Sequence, residues 1–415
     1  MSTISQNKQG LKVLFAGAFL QLFLGIIYVW SVFKNPVSGY FGWEAPNVGL
    51  TASFMLCFFV IGILTGGKMQ MKIGVRLTTL IGGLMVAAGM LATGLIPGGV
   101  TISGILSTAP IFIPIAPVFL IYLFYGIIGG FGVGAAYNAI VTAAQKWFPQ
   151  NRGFAVGVSA CAFGASTVIF APLVTMLINN LGVKNTFFVL AGIFAATVLI
   201  FFNFISTPAE VANASGPVLK GKQYSTLEMI KNPRYYLLAL SLMFGTSVFF
   251  IINPDLMDLA KDRGIASFAT YLVMFVGIAN ALGRLGAPLI SDKIGREAAN
   301  MIILAITALG AFGLCFAGGW LLIVVIALVA FCYGGYPGLY PVLTAEHFGI
   351  KNVGSNYGAV MVGFMLSALF FPIVINRIAD QQLRFMILGI LAAIGAGLML
   401  VLLAMKKKVE VENNG

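Results

Sequence analysis

Apolar residues fill this chain in long runs, and polar residues gather in short breaks between them. A helix rising 1.5 Å per residue needs about 20 apolar residues to cross a bilayer core. Twelve runs reach that length: 11–33, 47–67, 75–97, 118–143, 153–180, 183–206, 233–254, 267–291, 298–318, 320–345, 355–376 and 382–405. The longest polar stretch falls between the sixth and seventh, with Lys220, Lys222, Glu228 and Lys231. It predicts an N-terminal six-helix bundle over 1–206, a linker over 207–232 and a C-terminal six-helix bundle over 233–415. The segment from Pro97 to Pro117 has four prolines and no charge, and is expected to form an ordered outer loop.

Composition narrows the class. Hydrophobic residues make up 60% of the chain and charged residues 9%, against about 25% charged in a soluble domain. Mean hydropathy is +0.99. A disordered chain and a water-soluble enzyme are excluded, and an all-α polytopic membrane protein is expected, with the lipid bilayer as its solvent. The net charge of +12 would direct a soluble protein to nucleic acid, but here the basic residues sit in short loops. With the N-terminus inside, the inner segments hold 17 basic residues and the outer ones 6, which satisfies the positive-inside rule. Both termini are therefore expected in the cytoplasm and the chain in the cytoplasmic (inner) membrane. The first apolar run is about 23 residues, too long for a signal-peptide core.

The chain has one His and four Cys, and each Cys lies inside an apolar run. No C-x-x-C pair occurs, so no metal, cofactor or disulfide framework is expected. A membrane-embedded enzyme would need paired acids or clustered His within the bilayer, so the pattern predicts no enzyme.

The two halves echo one another. The second and third runs are joined through Gly67-Lys-Met-Gln-Met71-Lys-Ile-Gly74-Val-Arg76, and the eighth and ninth through Pro288-Leu-Ile-Ser-Asp292-Lys-Ile-Gly295-Arg296. A repeated joint in two six-helix halves is how many secondary transporters are built. Twelve runs, the six-plus-six split and this joint resemble the major facilitator superfamily. The Asp292 copy matches the loop of that family, which latches the two halves; the first copy has Met71 where an acid usually stands. Lys146-Trp-Phe148-Pro-Gln-Asn-Arg152-Gly-Phe-Ala155-Val-Gly157 resembles an element of monocarboxylate transporters and oxalate/formate exchangers. Asn280-Ala-Leu-Gly283-Arg284, Tyr333-Gly334-Gly335-Tyr336 and Asn356-Tyr357-Gly358 extend the resemblance. It implies a monomeric, alternating-access carrier of a small monocarboxylate, L-lactate foremost, in symport with a proton. Monocarboxylate/formate exchange is the alternative.

Arg284 is the leading site residue. It lies about 17 residues, or ~26 Å, into its run, where a charge must face the bundle interior and find a partner. Its planar guanidinium matches a carboxylate bidentately. Asn280 is one turn earlier on the same face and offers a hydrogen bond to substrate. Animal monocarboxylate transporters have an Asp here, and Asn cannot titrate. Tyr28, Tyr137 and Tyr333 occupy places where the oxalate/formate group has cavity aromatics. Phe364 falls where the oxalate exchangers have a Lys, and no Lys or Arg occurs between Lys351 and Arg377, which favours a monoanion over a dianion. Asp255 and Asp258 are the candidate proton-coupling carboxylates, with Glu346 and His347 as the alternative pair. Lys406 to Lys408 are expected to anchor the end of the chain to lipid headgroups.

Overall fold

The computed structural model describes residues 3–97, 118–208 and 222–414, apart from the side chains of 3–7, 46, 255, 257, 258, 266, 269–271, 273 and 407–414. The segment 98–117, expected as an outer loop, and most of the linker, 209–221, lie outside the described residues. Every regular element among the described residues is helical.

Among the described residues, ten stretches are long and apolar enough to cross a membrane. Two of them are each a pair of helices joined at a glycine. Ala45–Leu95 breaks at Gly74 (φ 81°, ψ 163°), and Arg152–Phe201 breaks at Gly182 (φ 77°, ψ 169°). Both values lie in a region that is essentially reserved for glycine. Counting each pair as two gives the twelve spans expected from the sequence. We number them α1 (Lys8–Phe41), α2 (45–73), α3 (75–95), α4 (Val118–Trp147), α5 (152–181) and α6 (183–201). The second half comprises α7 (Pro233–Ile252), α8 (Ala269–Ile294), α9 (Arg296–Leu314), α10 (Gly319–Phe348), α11 (Val353–Ile375) and α12 (Gln381–Asn414). The joint between α8 and α9 turns at Gly295 (φ 92°, ψ 151°), the same backbone solution as Gly74. The repeat seen in the sequence is thus a repeat in backbone geometry.

Several boundaries differ from the apolar runs. α1 continues beyond residue 33, through Pro36, and stops only at Gly42, which is left-handed (φ 71°) and donates its N–H to Ser38 O. Polar residues here sit on a helix because neighbouring helices bury its other face: Phe33, Val37 and Phe41 are all buried. The described end of the linker is tied down as well. Ser225 and Glu228 form a capping box on the short helix Thr226–Ile230, and Tyr224 N donates to Phe348 O at 3.0 Å. The backbone N–H of Ser225 holds the Glu228 carboxyl below its ordinary pKa.

The outer surface is apolar. Phe15, Leu309, Phe316 and Trp320 are all exposed, which suits lipid rather than water. The inner faces are packed through glycine. A Cβ on Gly283 of α8 would lie 1.9 Å from Phe331 O of α10, and one on Gly334 of α10 would lie 2.0 Å from Asn280 O of α8. These two helices therefore touch backbone to backbone, the close approach that small residues permit in membranes.

Both termini lie at one end of the bundle. Gly10 abuts Trp147 at the end of α4, and Lys406 reaches Glu297 and Glu346 at the ends of α9 and α10. The two halves are joined at this same end. Asp292, at the end of α8, accepts from the first-turn amides of α5, Phe154 N at 2.9 Å and Gly153 N at 3.2 Å, and also pairs with Arg296. A carboxylate facing unsatisfied N–H groups and the positive end of a helix dipole is well placed. On the opposite seam, Met71 is exposed and offers no acceptor. There the seal is steric: a Cβ on Gly67 of α2 would fall 2.3 Å from Ser355 N and 2.4 Å from Gly354 O of α11. Asn138 of α4 spans the same seam, donating to Ile63 O at 2.6 Å and to Gly354 O at 2.7 Å.

Candidate functional site

The helices that carry the site depart from regular α geometry close to it. α1 tightens into a 3-10 turn over Gly25–Val29, and Tyr28 stands in that turn. Gly25 permits it: a Cβ there would sit 2.0 Å from Phe163 O of α5. Further from the site, α4 passes from an α-helical turn, Val118–Ile121, into a π-helical stretch, Tyr122–Gly129, that ends roughly 12 Å along the helix from Tyr137. α11 is interrupted at Met361, between Tyr357 and Phe364. Such departures free backbone groups and commonly mark functional hinges.

Arg284 is the centre of the arrangement. It is 1% exposed. Its Nε donates to Asn280 Oδ1 at 2.8 Å, within α8, and its terminal NH2 group donates to Tyr28 OH at 2.9 Å, across the two halves. The guanidinium carbon lies 5.4 Å from the Tyr28 ring centroid and 5.7 Å from that of Phe163, so two ring faces contribute cation–π attraction. Among the described residues no carboxylate pairs with it. A guanidinium has five N–H donors, so most of this fork remains uncommitted. Both groups that hold it are neutral. The buried positive charge is oriented but not neutralised, and its uncommitted donors suit an anion with paired oxygens.

The aromatic residues form the walls. Tyr28 meets Phe163 edge to face at 5.6 Å, and Phe163 meets Tyr137 at 4.9 Å in the same manner. On the other half, Tyr333 stacks on Phe249 at 3.9 Å, and Phe364 lies 6.3 Å from Tyr333 and 5.1 Å from Phe250. Tyr333 also interacts electrostatically with Arg284. The structure thus brings Arg284, Asn280, Tyr28, Tyr137 and Tyr333 together, and Phe364 joins the wall beside Tyr333. Phe364 is buried, so its place is in the bundle and not on the lipid face.

Two residues that sequence reasoning passed over belong here. Phe163 carries the contact between Arg284 and Tyr137, and Gly164 beside it makes room for the arginine: a Cβ there would lie 2.7 Å from Arg284 Cδ. Tyr357 interacts electrostatically with both Arg284 and Tyr137. The Phe163-Gly164 pair, on a helix with no charge near it, was the available signal for the first. Asn356-Tyr357-Gly358 was the signal for the second.

The proton-coupling candidates are placed differently. The backbone of Asp255 closes a 3-10 turn, Asn253–Asp255, and Asp258 lies in the short helix Leu256–Asp262; both side chains fall outside the described set. Glu346 and His347 are far from Arg284, at the end of α10 some 13 residues, roughly 20 Å, beyond Tyr333. They join a charged cluster there. His347 Nε2 is 2.9 Å from Glu297 Oε1, Lys406 reaches Glu297 at 3.0 Å and Glu346 at 2.5 Å, and Arg296 lies 3.7 Å from Glu346. Lys406 is thereby committed to ion pairs, while the side chains of Lys407 and Lys408 fall outside the described set.

The model of the Major Facilitator Superfamily matches residues 14–372. The oxalate:formate antiporter of Oxalobacter formigenes is 25% identical over 362 residues, covering 83% of this chain and 79% of that one. Monocarboxylate transporter 13 of Bos taurus is 22% identical over 300 residues, covering 71% of this chain and 64% of that one. Among solved structures, the proton:xylose symporter XylE bound to 6-bromo-6-deoxy-D-glucose superposes with a TM-score of 0.69 at 18% identity, covering 95% of this chain and 96% of that one.

Proposed function

The chain belongs to the major facilitator superfamily, and from that premise we propose that it carries small monocarboxylates, L-lactate foremost, together with a proton. It is a multi-pass membrane transporter, not an enzyme, related to the oxalate:formate antiporter and to monocarboxylate transporters. The finer reading rests on one observation. Arg284 is sealed in the bundle core, held by two neutral partners, with the rest of its fork free and no described carboxylate beside it. A substrate carboxylate completes that fork. Aromatic walls from both halves then cover the short carbon chain, and alternating access moves the site from one side to the other. The 17-to-6 basic bias supports both termini in the cytoplasm and a place in the cytoplasmic membrane. The carrier acts as a monomer, with six helices on each side of one site.

Charge matching limits the substrate to a monoanion. One buried cation balances one carboxylate, and Phe364 adds an aromatic ring where a second cation would be needed for a dianion. Oxalate is therefore expected to compete poorly with labelled L-lactate for uptake. Inhibition by oxalate as strong as by unlabelled lactate would overturn the monoanion assignment.

One observation favours exchange as a second reading. Asn280 holds Arg284 but cannot titrate, so no proton acceptor adjoins the anchor among the described side chains. The two modes separate in an unbuffered cell suspension. Symport alkalinises the medium when lactate is added, whereas one-for-one exchange of monoanions leaves external pH unchanged. Alkalinisation is the expected result.

A further inference from the structure

α8 carries the anchor Arg284 and the latch Asp292 on one face, roughly 12 Å apart along the helix. Pro288 stands midway between them, in the helix interior. A proline has no backbone N–H, so the Arg284 carbonyl loses its regular helical donor, and the ring crowds that same carbonyl. α8 is thereby softened at one turn. It is the turn that separates the residue facing substrate from the residue facing the opposite half.

The neighbouring helices leave this turn room through glycine. In α10, a Cβ on Gly338 would lie 2.4 Å from Pro288 Cγ and 2.8 Å from Arg284 O. Across the two halves, α5 follows the same face of α8. A Cβ on Gly164 would lie 2.7 Å from Arg284 Cδ, one on Gly157 would lie 3.4 Å from Arg284 O, and one on Gly153 would lie 2.2 Å from Pro288 O and 2.7 Å from Asp292 Oδ2. The proline is also tied to the latch. Pro288 O accepts from Ser291 Oγ at 2.6 Å and from Arg296 Nη1 at 3.4 Å, and Arg296 pairs with Asp292. On the other side of the turn, the Arg284 side chain is held by the neutral Asn280 and Tyr28. One end of the softened turn therefore belongs to the latch, and the other follows the anchor.

We propose that Pro288 is a positioning residue that couples a carboxylate on Arg284 to release of the Asp292 latch. The proposal rests on Arg284 as the carboxylate anchor. Substrate on the free fork shifts Arg284, α8 bends at the turn that lacks its hydrogen bond, and Asp292 withdraws from the first-turn amides of α5. A ligand moves such an equilibrium only through contacts that differ between the two states, and the anchor supplies that difference.

Binding and latch release are read separately. In a Ser355→Cys background, the rate of reaction of position 355 with a small maleimide, followed by mass spectrometry, reports opening of the end that carries the termini. Ser355 is 1% exposed in the closed seam, and lactate is expected to raise the rate roughly threefold or more with Pro288 in place. Pro288→Ala restores the N–H and stiffens the turn. It is expected to bind lactate within about twofold of the wild type, to show no lactate-dependent change in rate and to lose uptake roughly tenfold. Pro288→Gly also restores the N–H but keeps the turn soft, because glycine is the weaker helix former, and is expected to keep most of the response. Loss of ring packing alone would give the reverse order, since glycine removes more volume than alanine. A wild-type response in Pro288→Ala, a larger defect in Pro288→Gly than in Pro288→Ala, weakened lactate binding in Pro288→Ala or misfolding of both variants would each overturn the coupling. So would lactate binding without any change in rate when Pro288 is in place. Failure of the wild type to bind lactate would instead refute the anchor, and the coupling with it.

Discussion

Arg284→Lys is expected to reduce lactate binding by roughly thirtyfold to several thousandfold, while the variant still reaches the membrane and purifies as a folded species. Lysine keeps the charge but replaces the planar fork with a single ammonium. It cannot hold the Asn280 and Tyr28 contacts and a bidentate carboxylate at once. Losing one partner of a desolvated, hydrogen-bonded charge pair costs about 2–5 kcal/mol. The fold is spared because the described contacts of Arg284 are to neutral groups, and no ion pair is broken by the change. Asn280→Ala is expected to be milder, at about 0.5–1.5 kcal/mol per hydrogen bond removed. Titration of purified proteins with lactate checks both. Wild-type affinity in Arg284→Lys would remove the anchor role, and misfolding of that variant would make Arg284 a structural residue.

Gly67→Val is expected to stop transport by a different route. Any side chain at this position collides with the backbone of Gly354 and Ser355, which cannot swing aside as a side chain would. Overpacking of this kind costs about 1–3 kcal/mol, a shift of roughly five- to more than a hundredfold in a two-state population. The penalty falls only on the conformation closed at the end that carries the termini, because α2 and α11 meet there. The variant therefore favours the state open at that end. Ser355 is 1% exposed in the closed seam, so a Cys introduced at position 355 should react faster with a small maleimide in the Gly67→Val background. Unchanged reactivity together with normal uptake would contradict the seam.

Much of this is legible in the amino-acid sequence alone. Hydrophobic runs report spans directly because the bilayer tolerates no unpaired backbone, so length and apolarity suffice. Arg284 was legible for the same reason, since a charge at that depth has few explanations. The Asp292 latch was implied by the resemblance of its joint to the family loop. Facing was harder to read. Phe163 and Tyr357 look like any aromatic residue on an apolar helix, because a span buried on most sides shows no polar face to orient it. Whether Phe364 meets lipid or the core depends on the packing of α11 against α7, where Gly363 would place a Cβ 2.0 Å from Ala239 O. The extension of α1 to Phe41 was hidden because tertiary burial, not local apolarity, sustains its last turns.

Uptake of labelled L-lactate by liposomes containing the purified protein tests the central claim most directly. With an inward proton gradient and no internal anion, the account predicts accumulation above the external concentration, abolished in the Arg284→Lys protein. Equilibration without accumulation under every gradient, or uptake by Arg284→Lys equal to the wild type, would contradict it.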